Sequence, residues 1–197
     1  MKSLALVSVI FSLFYSDAAF AYFWTDGNGR PCDEVCPAPR SRPVVSGTYR
    51  STDARLHGQE FFVCRANASR EGLRAGYNLK PNWSRHCWVG RGGQERAEPR
   101  YQCLCSETGV EPSWVDYYPA YGATCEDACR SPSRPVISGT YVSSNPRLHR
   151  QPFFVCAANL GSEGYRAGYH LRNFKASCRA GWGGAEQDGY QSRCLCE

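Results

Sequence analysis

The sequence predicts an all-β protein: two tandem, disulfide-stapled antiparallel β-sheet repeats with pseudo-two-fold symmetry, each carrying one short helical turn. Three observations predict it. Short β-branched or aromatic runs, such as Val44-Val45 and Phe61-Phe62-Val63, are punctuated by Gly, Pro, Asn, Asp and Ser at the spacing of about 8–12 residues that all-β chains show. No window sustains apolar residues at the helical i, i+3, i+4, i+7 spacing. The chain also repeats itself with a period of about 92 residues, and such self-similarity organises every other feature.

The first segment reads as a leader. Lys2 supplies a positive start, an apolar run extends from Leu4 to Tyr15, and Ala19-Phe20-Ala21 forms a small-residue cleavage motif. Residues 1–21 are therefore expected to be a signal peptide, with the mature chain starting at Tyr22. The apolar run is shorter than the ~20 residues a bilayer demands, and no later stretch is apolar enough to span one. The expected location is secreted or periplasmic, with no membrane span.

Repeat 1 occupies residues 22–105, a polar linker 106–113, and repeat 2 residues 114–197. Arg42-Pro43-Val44-Val45-Ser46-Gly47-Thr48-Tyr49 returns as Arg134-Pro135-Val136-Ile137-Ser138-Gly139-Thr140-Tyr141. Phe61-Phe62-Val63-Cys64 returns as Phe153-Phe154-Val155-Cys156. Glu71-Gly72 and Arg74-Ala75-Gly76-Tyr77 return as Glu163-Gly164 and Arg166-Ala167-Gly168-Tyr169. The sequence leaves open whether the repeats are separate domains or share one core.

Each repeat carries six cysteines: Cys32, Cys36, Cys64, Cys87, Cys103 and Cys105, then Cys125, Cys129, Cys156, Cys178, Cys194 and Cys196. An even number in an exported chain points to disulfides, which small repeats need as staples. Pairing is expected within each repeat, with Cys103 and Cys105 going to separate partners. Cys32 and Cys36, like Cys125 and Cys129, stand four apart and would share one face of a single helical turn. In the closing strand Tyr101-Gln102-Cys103-Leu104-Cys105, alternation points both cysteines to one face and Leu104 to the other. The Cys-x2-Cys spacing of zinc knuckles and thiol redox sites is absent, and His57 and His149 stand apart from the cysteine pairs. No metal and no cofactor are expected.

The chain also lacks G-x-S-x-G, H-E-x-x-H and a phosphate-cradling loop. The recurring carboxylates Glu71, Glu95, Glu163 and Glu186 read as turn or cap residues, because nothing positions two of them about one bond. The chain is expected not to be an enzyme. Its formal charge of +5 is scattered and interleaved with acids, which does not describe a nucleic-acid surface.

With the repeats stacked, the second half of each resembles the DM9 repeat, a family that includes natterin-like proteins and lectins. The matching residues are Pro43 to Gly47, Phe61 to Ala66, Gly72, Ala75-Gly76-Tyr77, Gly92-Gly93-Gln94-Glu95 and Tyr101 to Cys105. In the second copy they are Pro135 to Gly139, Phe153 to Ala158, Gly164, Ala167-Gly168-Tyr169, Gly183-Gly184-Ala185-Glu186 and Arg193 to Cys196. The resemblance covers residues 43–105 and 135–196. It implies tandem all-β repeats that pack together and bind mannose-type sugars. At the family's acidic and lysine sugar contacts, this chain carries Tyr49 and Tyr77, then Tyr141 and Tyr169. The Gly-Gly-x-Glu carboxylate stands as Glu95 and Glu186.

The candidate ligand-binding residues are therefore Tyr49, Tyr77, Glu95, Tyr141, Tyr169 and Glu186, in two equivalent sites. A tyrosine offers an apolar face to a sugar ring and a hydroxyl for a hydrogen bond. Trp83, Trp88 and Trp182 are further stacking candidates whose positions do not coincide between the repeats. The expected function is a secreted lectin whose partner is a glycan or polysaccharide, such as one on a cell surface. The rival reading is a secreted protein-interaction module using the loops Arg50 to Gln59 and Val142 to Gln151.

Overall fold

In the computed structural model, residues 22–80, 83–172, 177–189 and 191–197 are described. The expected leader, residues 1–21, lies outside them. The first repeat forms β1 (Tyr22–Asp26), α1 (Cys32–Val35), β2 (Ser41–Pro43), β3 (Val45–Thr48), β4 (Glu60–Ala66), β5 (Arg74–Leu79), β6 (Trp83–Arg91), β7 (Gln94–Glu98) and β8 (Tyr101–Glu107). The second forms β9 (Ser113–Tyr117), α2 (Cys125–Ala128), β10 (Ile137–Thr140), β11 (Pro152–Asn159), β12 (Tyr165–Leu171), β13 (Cys178–Trp182), β14 (Ala185–Gly189) and β15 (Ser192–Cys196). Short 3-10 turns lie at Ala68–Arg70 and Pro119–Tyr121.

The fold is all-β, as expected, and its strands join one antiparallel sheet. The order is β1-β8-β4-β5-β6-β7, then β14-β13-β12-β11-β15-β9, with β2, β3 and β10 pairing off this path. Each strand of the second run is the sequence counterpart of the strand equally far from the junction in the first. The two halves meet where Gln94 of β7 pairs with Ala185 of β14. Among the described residues, no helix is long and apolar enough to cross a membrane. The polar segment between the repeats is shorter than 106–113, because β8 runs on through Glu107 and β9 starts at Ser113.

Six disulfides staple the halves, each inside its own repeat: Cys32–Cys103, Cys36–Cys105, Cys64–Cys87, Cys125–Cys194, Cys129–Cys196 and Cys156–Cys178. The geometry explains the spacing. Two cysteines four apart on a helical turn lie one above the other, and two cysteines two apart on a strand share a face. The turn α1 therefore lies along β8 and is bound twice, and α2 lies along β15 in the same way. The capping box of Thr124 and Asp127 starts α2, whereas Pro31 precedes α1 without a side-chain cap.

Strand alternation divides the interior into three cores. Phe61, Val63, Tyr77, Leu79 and Leu104 face a core that also takes Phe153, Val155, Tyr169, Leu171 and Leu195. The halves thus share one apolar interior. The alternate residues of the same strands, Phe62, Cys64, Cys103 and Cys105, face a disulfide-lined core with α1, and Phe154, Cys156, Cys194 and Cys196 do so in the second half.

Backbone contacts close the interface. Ser46 Oγ donates to the Tyr165 carbonyl at 3.1 Å and Ser138 Oγ to the Leu73 carbonyl at 3.3 Å. The Arg50 amide donates to Glu163 O at 2.8 Å, and the Val142 amide to Glu71 O at 2.9 Å.

Candidate functional site

The chemistry-bearing side chains gather along the junction, in two places built from equivalent positions. Each begins with a buried arginine from the recurring Glu-x-x-Arg segment. Arg74 Nη2 meets Glu71 Oε2 at 2.6 Å, and Arg166 Nη2 meets Glu163 Oε2 at 2.9 Å. The guanidinium of Arg74 lies 5.0–5.2 Å from the ring centroids of Tyr141, Phe153 and Tyr169, all from the other repeat. Arg166 lies 5.1 and 4.8 Å from Tyr49 and Phe61, and 3.2 Å from the Trp182 ring. A desolvated guanidinium over aromatic faces gains cation–π attraction, and its carboxylate partner offsets the cost of burial. Burial pulls the Arg166 pKa down, against the pull of nearby Tyr77 and Glu163.

The second component is a tyrosine–glutamate pair. Tyr77 Oη donates to Glu95 Oε1 at 2.7 Å, while Glu95 Oε2 accepts the N–H of Gly184 at 2.9 Å. Tyr169 Oη donates to Glu186 Oε1 at 2.5 Å, and Glu186 Oε2 accepts the N–H of Gly93 at 2.9 Å. Each glutamate thus ties its own repeat's tyrosine to the other repeat's Gly-Gly turn. Burial, reinforced by Glu95, drives the Tyr77 pKa well above the usual phenol value, so its hydroxyl remains a donor. Burial also raises the Tyr169 pKa.

Third come the side chains at the mouth of each site, and here the two sites diverge. Around Tyr77 the opening is lined by Trp88, Glu95, Trp182 and Gly183, and its volume is about 160 Å³. Around Tyr169 it is lined by Glu71, Arg74, Arg91, Arg96, Tyr141 and Arg179, among others, and its volume is about 410 Å³. Arg179 Nε lies 3.1 Å from Asp188 Oδ1. Arg91 bonds Glu71 twice, at 3.1 and 2.7 Å, and with Arg74 it holds that carboxyl below the usual carboxylate range.

All six predicted ligand residues lie at these two places. The rings of Tyr49, Tyr77 and Tyr169 are nevertheless buried in the shared core, at 6%, 2% and 4% exposure. Tyr49 packs on Phe61 and edge-on against Trp182, both at 5.4 Å between centroids. Tyr141 is half-buried, and Glu95 and Glu186 stand at the rims. The aromatic surface at the first opening belongs to the half-buried Trp88 and Trp182. The side chain of Trp83 lies outside the described residues. Glu71 and Glu163 are arginine partners. The loops of the rival reading fold back on their own strands, with Tyr49 N donating to Gln59 O and Tyr141 N to Gln151 O, each at 2.8 Å. Sequence reasoning did not select Arg74 and Arg166, although the duplicated Glu-x-x-Arg segment was the available signal. Arg91, Arg96 and Arg179 emerge only when the mouths are compared position by position.

No family model matches the chain, and no curated protein matches it. Among solved structures, the nematode sperm cell motility protein MFP2B is similar in fold, with a TM-score of 0.56 and 15% sequence identity. The match covers 100% of this chain and 48% of that one, so the chain spans about half the length of that structure.

Proposed function

We propose that the protein is a secreted, non-enzymatic carbohydrate-binding protein with one ligand site on each side of the junction between its repeats. The observation that carries this reading is the Trp88–Trp182 opening, where two indoles frame the Tyr77–Glu95 pair. Indole faces pack against the C–H face of a pyranose. An ionised carboxylate offers about four lone-pair sites, and the Tyr77 hydroxyl and Gly184 amide engage two at Glu95, leaving acceptors for sugar hydroxyls. An opening of about 160 Å³ suits a ring-sized group rather than a large cofactor. The resemblance to DM9 repeats points the same way, and six disulfides accord with an oxidising, extracytoplasmic location. Two sites on one rigid body would add avidity for a repetitive glycan.

A glycan array probed with the oxidised protein, with reduced protein as control, tests this. Saturable binding to one sugar class, lost on reduction and in Trp182→Leu, supports the reading. A blank array with folded protein overturns it and favours a protein partner at the 50–59 and 142–151 loops.

A further inference from the structure

The two openings occupy equivalent positions in the duplicated sheet, yet three mouth residues change character together. Trp88 and Trp182 line one opening, and their sequence counterparts Arg179 and Arg91 line the other together with Arg96, whose counterpart is Gln187. We propose that the arginine-lined opening beside Tyr169 binds an anionic group, a sulfate or carboxylate, carried on a saccharide. The saccharide carrier rests on the carbohydrate-binding reading, whereas the anion preference rests on the arginines.

Charge separates the two sites. Around Tyr169, Arg74, Arg91, Arg96 and Arg179 face Glu71, Glu186 and Asp188. Around Tyr77, among the described residues, Arg166 faces Glu163 and Glu95. Among these residues the site beside Tyr169 therefore carries an excess of one positive charge and the site beside Tyr77 an excess of one negative charge. The fold does not require the added cations. Among the described residues Glu163 pairs with Arg166 and no second arginine, so the equivalent Glu71 would be matched by Arg74 without Arg91. Arg96 is exposed at the rim and bonds only the neutral Gln94 among the described hydrogen bonds.

The donors have the geometry that oxyanions need. A guanidinium presents five N–H groups in a planar fork that matches sulfate or carboxylate oxygens in pairs. Arg91 gives two of them to Glu71. The larger opening, about 410 Å³ against about 160 Å³, leaves room for a sugar unit together with its charged substituent. Arg74 and Arg91 neutralise the Glu71 carboxylate and so remove the main repulsion an incoming anion would meet.

The test measures binding of three hexasaccharides to the oxidised protein by calorimetry. One is sulfated (chondroitin sulfate), one carries carboxylates only (hyaluronan), and one is neutral (chitin hexasaccharide). The variants are R91Q/R96Q/R179Q, the rim variant R96Q, and W182L, each checked for an unchanged melting transition. The expected result is saturable binding of an anionic hexasaccharide that weakens with salt. That binding should fall on the order of tenfold or more in the triple variant and several-fold in R96Q, the size expected for lost charge-assisted bonds, and stay within about twofold in W182L. R96Q guards against a folding defect in the triple variant. Binding of the sulfated probe alone assigns sulfate, and binding of both anionic probes shows that carboxylate suffices. The proposal is overturned if no anionic probe binds better than the neutral one, or if R96Q and the triple variant bind like the wild type. Neutral-sugar binding lost in W182L, with both anionic probes silent, overturns this proposal but not the carbohydrate reading. Anionic binding with a blank neutral array does the reverse for the Trp88–Trp182 site.

Discussion

The Glu95 carboxylate crosses from one repeat to the other and accepts the backbone N–H of Gly184 at 2.9 Å, while its second oxygen holds the hydroxyl of Tyr77 at 2.7 Å. Glu186 makes the reciprocal connection to Gly93 and Tyr169. One anion at each site therefore joins the repeats and presents acceptors at a mouth.

Glu95→Gln separates these roles. The amide has one acceptor oxygen, so the Tyr77 O–H and the Gly184 N–H can no longer both donate to residue 95, and one of these donors loses its acceptor. The expected cost is about 1–3 kcal/mol of stability, read from urea unfolding. Neutral-glycan binding at the Trp88–Trp182 opening should be lost, since the carboxylate that accepts sugar hydroxyls is gone. Glu186→Gln should match the stability cost while leaving that neutral binding in place.

The interface between the halves should fail at two glycines. Gly72 and Gly164 adopt φ of +103° and +107°, and a Cβ there would stand 2.0 Å from the carbonyl oxygens of Thr140 and Thr48 in the opposite repeat. Both a left-handed backbone and a backbone clash oppose any side chain, and no side-chain rotamer relieves either. Gly72→Ala and Gly164→Ala are each expected to lower stability by more than about 2 kcal/mol. Gly109→Ala, also at positive φ but with open space around its Cβ, should cost distinctly less. Thermal unfolding of the three variants measures the difference.

Acid should weaken the fold through His170. This side chain is fully buried, stacks on Phe154 at 6.0 Å and meets Tyr117 edge-on at 6.0 Å. Burial lowers its pKa to about 4 from 6.5, with Asp127 opposing only in part. Between those values the unfolded chain binds a proton that the folded chain does not. The contribution is therefore complete above about pH 6.5, declines as pH falls towards 4, and levels off below it. The full loss is about 3 kcal/mol. The equivalent position in the first repeat is Asn78, whose Oδ1 accepts the Cys32 amide. His170→Asn should flatten this part of the stability–pH curve, measured by denaturant titration between pH 4 and pH 7.

Much of the local architecture was legible because it depends on near neighbours. Strand alternation alone sends Leu104 to one face and Cys103 and Cys105 to the other, and they occupy different cores. The four-residue cysteine spacing was enough to expect a helical turn and the two-residue spacing a shared strand face, but that the turn lies along that strand came only with the disulfide pairing. The tyrosines were legible as recurring residues after turn glycines, but neither their place at the junction nor their ring exposure was. Tyr49 is covered by Phe61 of its own repeat and by Trp182 of the other, a contact across more than a hundred residues of chain.

By itself, then, the sequence determined the strands, the duplication and the oxidised cysteine framework, because hydrophobic alternation, repetition and residue chemistry are written along the chain. The tertiary structure decided that the two repeats share one core and that Glu95 and Glu186 exchange contacts across their junction. It also decided that Trp88 and Trp182 meet at one mouth while Arg91 and Arg179 meet at the other. Those residues lie about ninety positions apart in sequence, and only the reciprocal packing of β7 on β14 brings each pair together.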